Sequence, residues 1–419
     1  MGCGTERHHT KGADGKLAKL KIPADLLQIG APIPFDIYGL DGRLLLRRGH
    51  VIESDLQLAR LIQTGLYDPV INPGSVEAQR RVASDRSGRV VREFGPLPSS
   101  LLRNKVSVFE RLNEAAISLD GLFLLDAPAA EFAHGVRSAV ASVRECCALD
   151  SDAALAQILV SEPLRYSSRH PSSVAILAAH LLSRLRHDEA RAASAVAAAL
   201  TMNLSVVELQ DALYRQQGPL SSEQRDTLRL HPAASAQALR RHGIDDPVWL
   251  QTVEQHHEAR DGSGYPAGLK GDAICREAQV VSLADRYCAL VSERAYRPAL
   301  SPRKAIKELH ERNINAIDAA LIGSLISAIG LFPPGAYVRL ANGETAVVVR
   351  RLIDPKHPVV FALHRDSGAP YDSPKKRLTA SHRDFEIIAD VKPTAVRVKI
   401  DPETLWPPTA TGEAPKANS

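Results

Sequence analysis

The sequence predicts a mainly α-helical protein, its helical core set between a small N-terminal α+β module and a small C-terminal antiparallel β domain. Three observations carry this. Apolar residues recur at helical spacing almost without a break from Leu101 to Phe332. After Pro333-Pro334-Gly335 the apolar period drops to two, around an Asn342-Gly343 pair. Near the N-terminus, short apolar runs flank Asp41-Gly42 and mark a hairpin, because both turn residues must adopt positive φ.

Taken in order, residues 1–21 are polar and basic and are expected to form a disordered tail. In 22–71, Phe35 to Tyr38 and Leu44 to Leu46 supply the hairpin strands. Ser54 then caps an apolar-periodic run (Leu56, Leu58, Leu61, Ile62) that Gly65 stops. Residues 72–100, rich in Pro, Gly, Ser and Arg, read as a linker. The core, 101–332, carries the stripe Val106, Leu112, Ala116 and Leu119 and a long apolar helix from Ser172. It also holds an alanine-rich run from Ala192 to Leu200, suited to close helix packing, and a capped start at Ser221-Ser222-Glu223. In 333–400, Tyr337 to Leu340, Thr345 to Val349, Val359 to Leu363 and Val396 to Ile400 read as strands. Residues 401–419 turn Pro-rich and are expected to be a second disordered tail.

Composition excludes some classes of function. The chain has 44% hydrophobic and 24% charged residues and a formal net charge of +4, too small a surplus to require a nucleic acid partner. Its basic runs, Lys11 to Lys21 and Arg80 to Arg92, read as solvated tail and linker. The five cysteines (Cys3, Cys146, Cys147, Cys275, Cys288) form no CxxC pair, which points to a reducing compartment. With no signal-peptide pattern and no apolar run of membrane-spanning length, a cytoplasmic protein without a membrane span is expected. Met1-Gly2-Cys3 lacks the Ser or Thr that myristoylation requires, since position 6 is Glu6.

The chemistry concentrates in His256-His257-Glu258-Ala259-Arg260-Asp261-Gly262-Ser263-Gly264-Tyr265-Pro266. Adjacent imidazoles beside carboxylates are a ligand set for divalent transition metals, and a glycine loop can bring backbone N–H groups close to an anion. Metal plus phosphate is the function this stretch suggests. Candidate metal ligands across the core are His170, His231, His256, His257 and Asp285, each at the edge of an apolar helix pattern, with His170 before Pro171 and His231 before Pro232. Several such residues on successive helices suggest a metal cage inside a helical bundle. Neighbours on a helix do not face one point, so His256 and His257 are expected to serve two centres, or one a metal and the other a phosphate oxygen. A zincin motif fails because Asp261 stands where its second histidine belongs, and no Gly-Lys-Ser/Thr of a P-loop follows Gly264.

Together with Ala267-Gly268-Leu269, Ala284-Asp285-Arg286-Tyr287, Arg294 to Leu300 and His231-Pro232, this stretch resembles the signature of the HD-GYP domain. The resemblance covers roughly 161–330. It implies an HD-superfamily helical fold, a multinuclear iron or manganese site, and hydrolysis of the bacterial second messenger cyclic di-GMP. It also implies a ligand-binding surface at Glu258, Asp261, Gly262, Gly264, Tyr265, Pro266, Arg294 and Arg297, and a loop that can meet diguanylate cyclase (GGDEF) domains. The sequence departs from the pattern where a consecutive His-Asp should bridge two metals. Thr201 and Met202 stand there, Ser205 replaces a lysine one turn later, and Cys288 replaces a second aspartate. A neutral thioether cannot replace an anionic bridge between hard cations, so a mononuclear site is expected. The departures favour a ligand sensor or protein-interaction module with weak or no phosphodiesterase activity. The alternative is an active metal-dependent cyclic di-GMP phosphodiesterase with an atypical metal site.

Overall fold

The structure, a computed structural model, describes residues 105–124, 128–160, 165–312, 315–396, 398 and 401–410, with short pieces of the first hundred residues (20–21, 27, 33, 37–38, 44–47, 50–52, 61 and 66–67). The chain divides into two compact units, Met1–Leu97 and Pro98–Ser419. In the first, four short strands, β1 (Leu20–Lys21), β2 (Ile37–Tyr38), β3 (Leu44–Leu46) and β4 (Leu66–Tyr67), form a sheet of order β1-β4-β2-β3. The pairs are antiparallel, and β2 and β3 are the hairpin expected across Asp41-Gly42. Leu20–Lys21, the end of the expected tail, pairs with β4. Apart from Leu61, the helix expected after Ser54 lies outside the described residues, as does the linker 72–100.

From Val108 to Ile329 the regular structure of the second unit is helical among its described residues. Helices α1 (Val108–Leu124), α2 (Ala129–Leu149) and α3 (Ser151–Val160) lead into α4 (Tyr166–Arg184). From Val174 to Leu182 nearly every side chain of α4 is buried, so this helix is apolar all round and forms the centre of the bundle. Helix α5 (Glu189–Thr201), capped by Asp188, packs its alanine face closely against α4. The stretch Glu189–Arg215 has the length and hydropathy to cross a membrane, yet 67% of its apolar 18-residue window is buried in the fold, as in core helices. Helix α6 (Val207–Arg215) follows, then α7 (Ser222–Arg241), which begins with a complete capping box between Ser221 and Gln224. Next come α8 (Pro247–Gln255), α9 (Arg276–Val291), α10 (Pro302–Arg312) and α11 (Ala319–Ile329).

Two prolines expected at helix boundaries lie inside helices instead: Pro171 in α4 and Pro232 in α7. Tertiary packing of the buried faces overrides the local cost of the missing N–H.

The C-terminal part is a five-stranded antiparallel sheet, order β10-β6-β7-β8-β9. Its members are β6 (Tyr337–Leu340), β7 (Thr345–Arg350), β8 (Val359–His364), β9 (Pro370–Leu378) and β10 (Ile387–Asp390). Gly343, at φ +86°, makes the turn between β6 and β7. The two faces of β7 divide cleanly. Ala346 and Val348 join Val338, Leu340, Val360 and Ala362 in a core of the sheet's own. Val347 and Val349 point into the helical core. The fifth strand is Ile387–Asp390, and a 3₁₀ turn at Pro393–Ala395 follows it; most of the strand expected at 396–400 lies outside the described residues. Strand β9, which was not among the expected strands, carries Pro370 and Pro374, and as an edge strand it tolerates them.

The expected C-terminal tail is ordered as far as Ala410. A short helix α12 (Pro402–Leu405) leads to Trp406, which is buried, lies 5.5 Å from the Phe109 ring and donates its indole N–H to Val349 O at 3.0 Å. Strand β11 (Thr409–Ala410) then pairs with β5 (Lys105–Val106), just ahead of α1. One indole thus ties the chain's end to the sheet and to the first helix, which outweighs its polar, Pro-rich composition.

Candidate functional site

Helix α7 carries His231, and its proline shapes the site. Pro232 has no N–H, so the carbonyl of Leu228, four residues earlier, loses its helical partner. His231 Nδ1 lies 2.6 Å from that oxygen. A carbonyl only accepts, so Nδ1 carries the proton and Nε2 is left with a lone pair. His256 repeats the arrangement at the end of α8. The helix stops at Gln255, freeing the Val253 carbonyl, and His256 Nδ1 lies 2.6 Å from it. The two Nε2 atoms face each other at 3.2 Å.

His257 completes the group. The ligand atoms of His231, His256 and His257 all lie within 4.8 Å of one another, the one such cluster of three among the described residues. The expectation that His256 and His257 point to different centres is therefore corrected. The facing rule holds only within a helix, and α8 ends before the pair; their ring centroids lie 4.1 Å apart and both rings sit against His231. The donor set fits a divalent cation: two lone pairs confront each other, and 3.2 Å falls between octahedral and tetrahedral edges for metal–nitrogen bonds of about 2.1 Å.

Protonation does not satisfy these lone pairs easily. Burial pushes the pKa of His256 well down, and its neighbours His257 and His231 push it further. Burial likewise lowers His257 to about 4, against the opposing pull of Asp285, and lowers His231. Burial would raise Asp285, but the hydrogen bond and charge of His170, with the charges of His257 and His256, hold it well below the usual carboxylate range. The site is built for neutral imidazoles around one anion.

His170 and Asp285 pair with each other rather than joining the cluster of three. His170 Nε2 lies 2.7 Å from Asp285 Oδ1, and His170 Nδ1 is buried without a hydrogen-bond partner. Beside them lies a residue the sequence reading missed, Tyr166, whose ring stacks on His170 at 5.1 Å. Its position one helical turn before His170 was the available signal.

The glycine loop folds back over the histidines. Glu258 is buried, and its two carboxylate oxygens accept from Ala267 N at 2.7 Å and Leu269 N at 2.8 Å, so it holds the loop closed. Asp261 is exposed and accepts from Ser263 N at 2.9 Å and Ser263 Oγ at 2.6 Å, closing the turn at Gly262, whose φ is +83°. Gly264 is obligatory for a packing reason: a Cβ there would lie 2.3 Å from Ala259 N. The Tyr265–Pro266 peptide is cis, and the Tyr265 ring stacks on His257 at 4.7 Å. Of the two arginines, Arg297 donates to Ala289 O at 2.6 Å and Leu290 O at 3.5 Å, capping the end of α9. Arg294 donates to the hydroxyls of Tyr166 and Tyr296, and its Nε is buried without a partner.

Thr201 ends α5, and its hydroxyl is already committed. It donates to Ala197 O at 2.7 Å and accepts from Trp249 Nε1 at 2.8 Å. Met202 is fully buried in the helical core. Ser205 bonds to Ser235 Oγ at 2.9 Å and donates to His231 O at 3.2 Å, tying the region after α5 to α7.

Comparison with known proteins places this geometry in a class. The family model for the HD domain matches residues 153–321, so the helical core is an HD domain. The chain is related to HD-GYP cyclic di-GMP phosphodiesterases. A cyclic di-GMP phosphodiesterase of Pseudomonas aeruginosa is 24% identical over 359 residues, which is 82% of this chain and 85% of that protein. A cyclic di-GMP phosphodiesterase of Vibrio cholerae is 34% identical over 128 residues, covering 29% of this chain and 26% of its own length. A 3'3'-cGAMP-specific phosphodiesterase of the same organism is 28% identical over 168 residues, covering 40% of this chain and 36% of that protein. The two Vibrio matches thus span about a quarter to a third of those longer proteins.

Proposed function

We propose that the chain binds a cyclic dinucleotide, cyclic di-GMP foremost, at a one-metal site in its HD domain, and turns it over weakly or not at all. On this reading it is a ligand sensor or interaction module of bacterial signalling, working in the cytoplasm, with the loop 256–269 as the surface for a GGDEF domain. The observation that carries the reading is the end of α5. Thr201 and Met202 stand where the resemblance expects the metal-bridging His-Asp pair, the Thr201 hydroxyl is spent on Ala197 and Trp249, and a thioether is a soft, neutral ligand. Three neutral imidazoles suit one iron or manganese ion, with Asp285 as the nearby anion. Such an ion would act as a Lewis acid on a phosphoryl group. Loss of the second cation's template removes the larger part of that chemistry.

The nucleotide is supported by the names of the relatives and by Arg294, whose unpartnered Nε is a donor suited to a phosphate oxygen. The competing reading, an active phosphodiesterase with an atypical site, draws on the breadth of the likeness to the Pseudomonas enzyme. Metal analysis of the purified chain, with binding and hydrolysis of cyclic di-GMP and 3'3'-cGAMP in added manganese or iron, separates the two. The expected result is about one metal per chain, micromolar-range binding of cyclic di-GMP, and hydrolysis at background. Turnover that disappears in His256→Ala would establish the active reading instead.

A further inference from the structure

We propose that Tyr166 is a positioning residue that holds the anion-binding Arg294 and the metal-side pair His170–Asp285 at a fixed spacing, and that cyclic dinucleotide affinity depends on it. The inference rests on the reading just given and adds to it a residue that neither the glycine loop nor the histidines supply. Two buried polar atoms at this end of the molecule have no partner, and Tyr166 touches the residues that own both. One is Arg294 Nε, an N–H that always carries its proton and needs an acceptor. The other is His170 Nδ1, on the ring whose Nε2 meets Asp285 at 2.7 Å.

Tyr166 joins them by two different contacts. Its hydroxyl accepts from Arg294 Nη2 and its ring lies 5.1 Å below the guanidinium carbon. The same ring stacks on His170 with planes 12° apart. Tyr214 stacks on Tyr166 at 5.0 Å, and its carbonyl accepts from Ala295 N at 3.2 Å, so the loop bearing Arg294 is fastened to the same column of rings. The other terminal nitrogen of Arg294 goes to the Tyr296 hydroxyl at 3.1 Å. With a bond on each terminal nitrogen the guanidinium plane is fixed, and Nε–H with the remaining terminal N–H groups is left for a ligand. A phosphodiester oxygen held by this guanidinium meets its unpartnered donor and its charge together. Without the Tyr166 hydroxyl the fork swings, and the charge is present but not aimed.

The test is titration of cyclic di-GMP into the manganese-loaded full chain, as wild type, Tyr166→Phe, Arg294→Gln and the double variant, with manganese content measured for each. Tyr166→Phe keeps the ring and the stack. It is expected to weaken nucleotide binding about 10-fold, the scale of one hydrogen bond to a charged group, with manganese content unchanged. In the Arg294→Gln background the same change is expected to cost nothing further, because the hydroxyl then has no guanidinium to aim. A purely structural tyrosine would give equal losses in both backgrounds, and that result overturns the proposal, as does wild-type affinity in Tyr166→Phe. Should Tyr166→Phe not fold, Tyr214→Leu, which loosens the column from behind, is expected to weaken nucleotide binding with manganese retained, and unchanged binding overturns the proposal. If the wild type binds no cyclic dinucleotide, the reading of the whole site falls and this inference with it.

Discussion

At the scale of single residues, the site depends on carbonyl groups that helices fail to use. Leu228 O is freed by Pro232 and Val253 O by the end of α8, and each takes the Nδ1–H of a histidine. Backbone defects thereby choose the imidazole tautomer and aim Nε2 at the cluster. Such outer partners commonly govern metal affinity by one to two orders of magnitude. Pro232→Ala tests this without touching a ligand. It restores an N–H that competes for Leu228 O, and it removes a helix-interior proline. Metal affinity, measured by competition with a chelator, is expected to fall about 10-fold while the thermal midpoint stays level or rises. A parallel loss of stability and affinity would mean that the proline matters for the fold and not for His231.

At the scale of elements, the loop 256–269 is a rigid fold-back. Glu258 ties down two loop amides from inside, Asp261 closes the outer turn, and Gly264 lies against the backbone of Glu258 and Ala259. Gly264→Ala places a methyl group 2.3 Å from Ala259 N, against backbone that cannot rotate away. The loop must lift, taking Tyr265 off His257. Cyclic di-GMP binding is expected to be lost, while the unfolding midpoint drops little because the loop contributes no large side chain to the core. Retained binding would mean that the loop is not part of the ligand site. This loop was legible in the sequence because its glycines, carboxylates and Tyr-Pro lie within one short stretch. Tyr166 and the His170–Asp285 pair were harder to read. The partners in that contact are 115 residues apart in the chain, and only the packing of α4 against α9 brings them together. The convergence of His256 and His257 was misread for a local reason: a helix was assumed to continue through His257, two residues beyond Gln255.

At the scale of the molecule, periodicity revealed the helical core and the sheet, because both patterns are repeated many times, whereas the C-terminal strap was hidden. One buried indole in a Pro-rich segment, Trp406, has no period. The sheet's attachment to the helices is equally aperiodic: Arg350 meets Asp150, and Arg351 meets Asp152, His180 and the Ala328 carbonyl. His180 gives this junction a pH dependence with a definite sign. Its burial, then the adjacent Arg351 guanidinium, lower its pKa to about 4, whereas an unfolded imidazole titrates near 6.5. Between those values the unfolded chain binds a proton that the folded chain does not. The stability contributed by neutral His180 is therefore fully present above about pH 6.5 and lost progressively as pH falls toward about 4. Asp152, raised by burial against the pull of Arg351, has the opposite sign. A comparison of pH about 7.5 with about 5.5 spans the unfolded imidazole value. Urea unfolding of the wild type is expected to lose stability between the two, with His231, His256 and His257 contributing alongside His180. In His180→Gln the loss is expected to be smaller by about 1 kcal/mol, the value of a single site shifted this far. An equal loss in both proteins would mean that His180 titrates alike in the folded and unfolded chain.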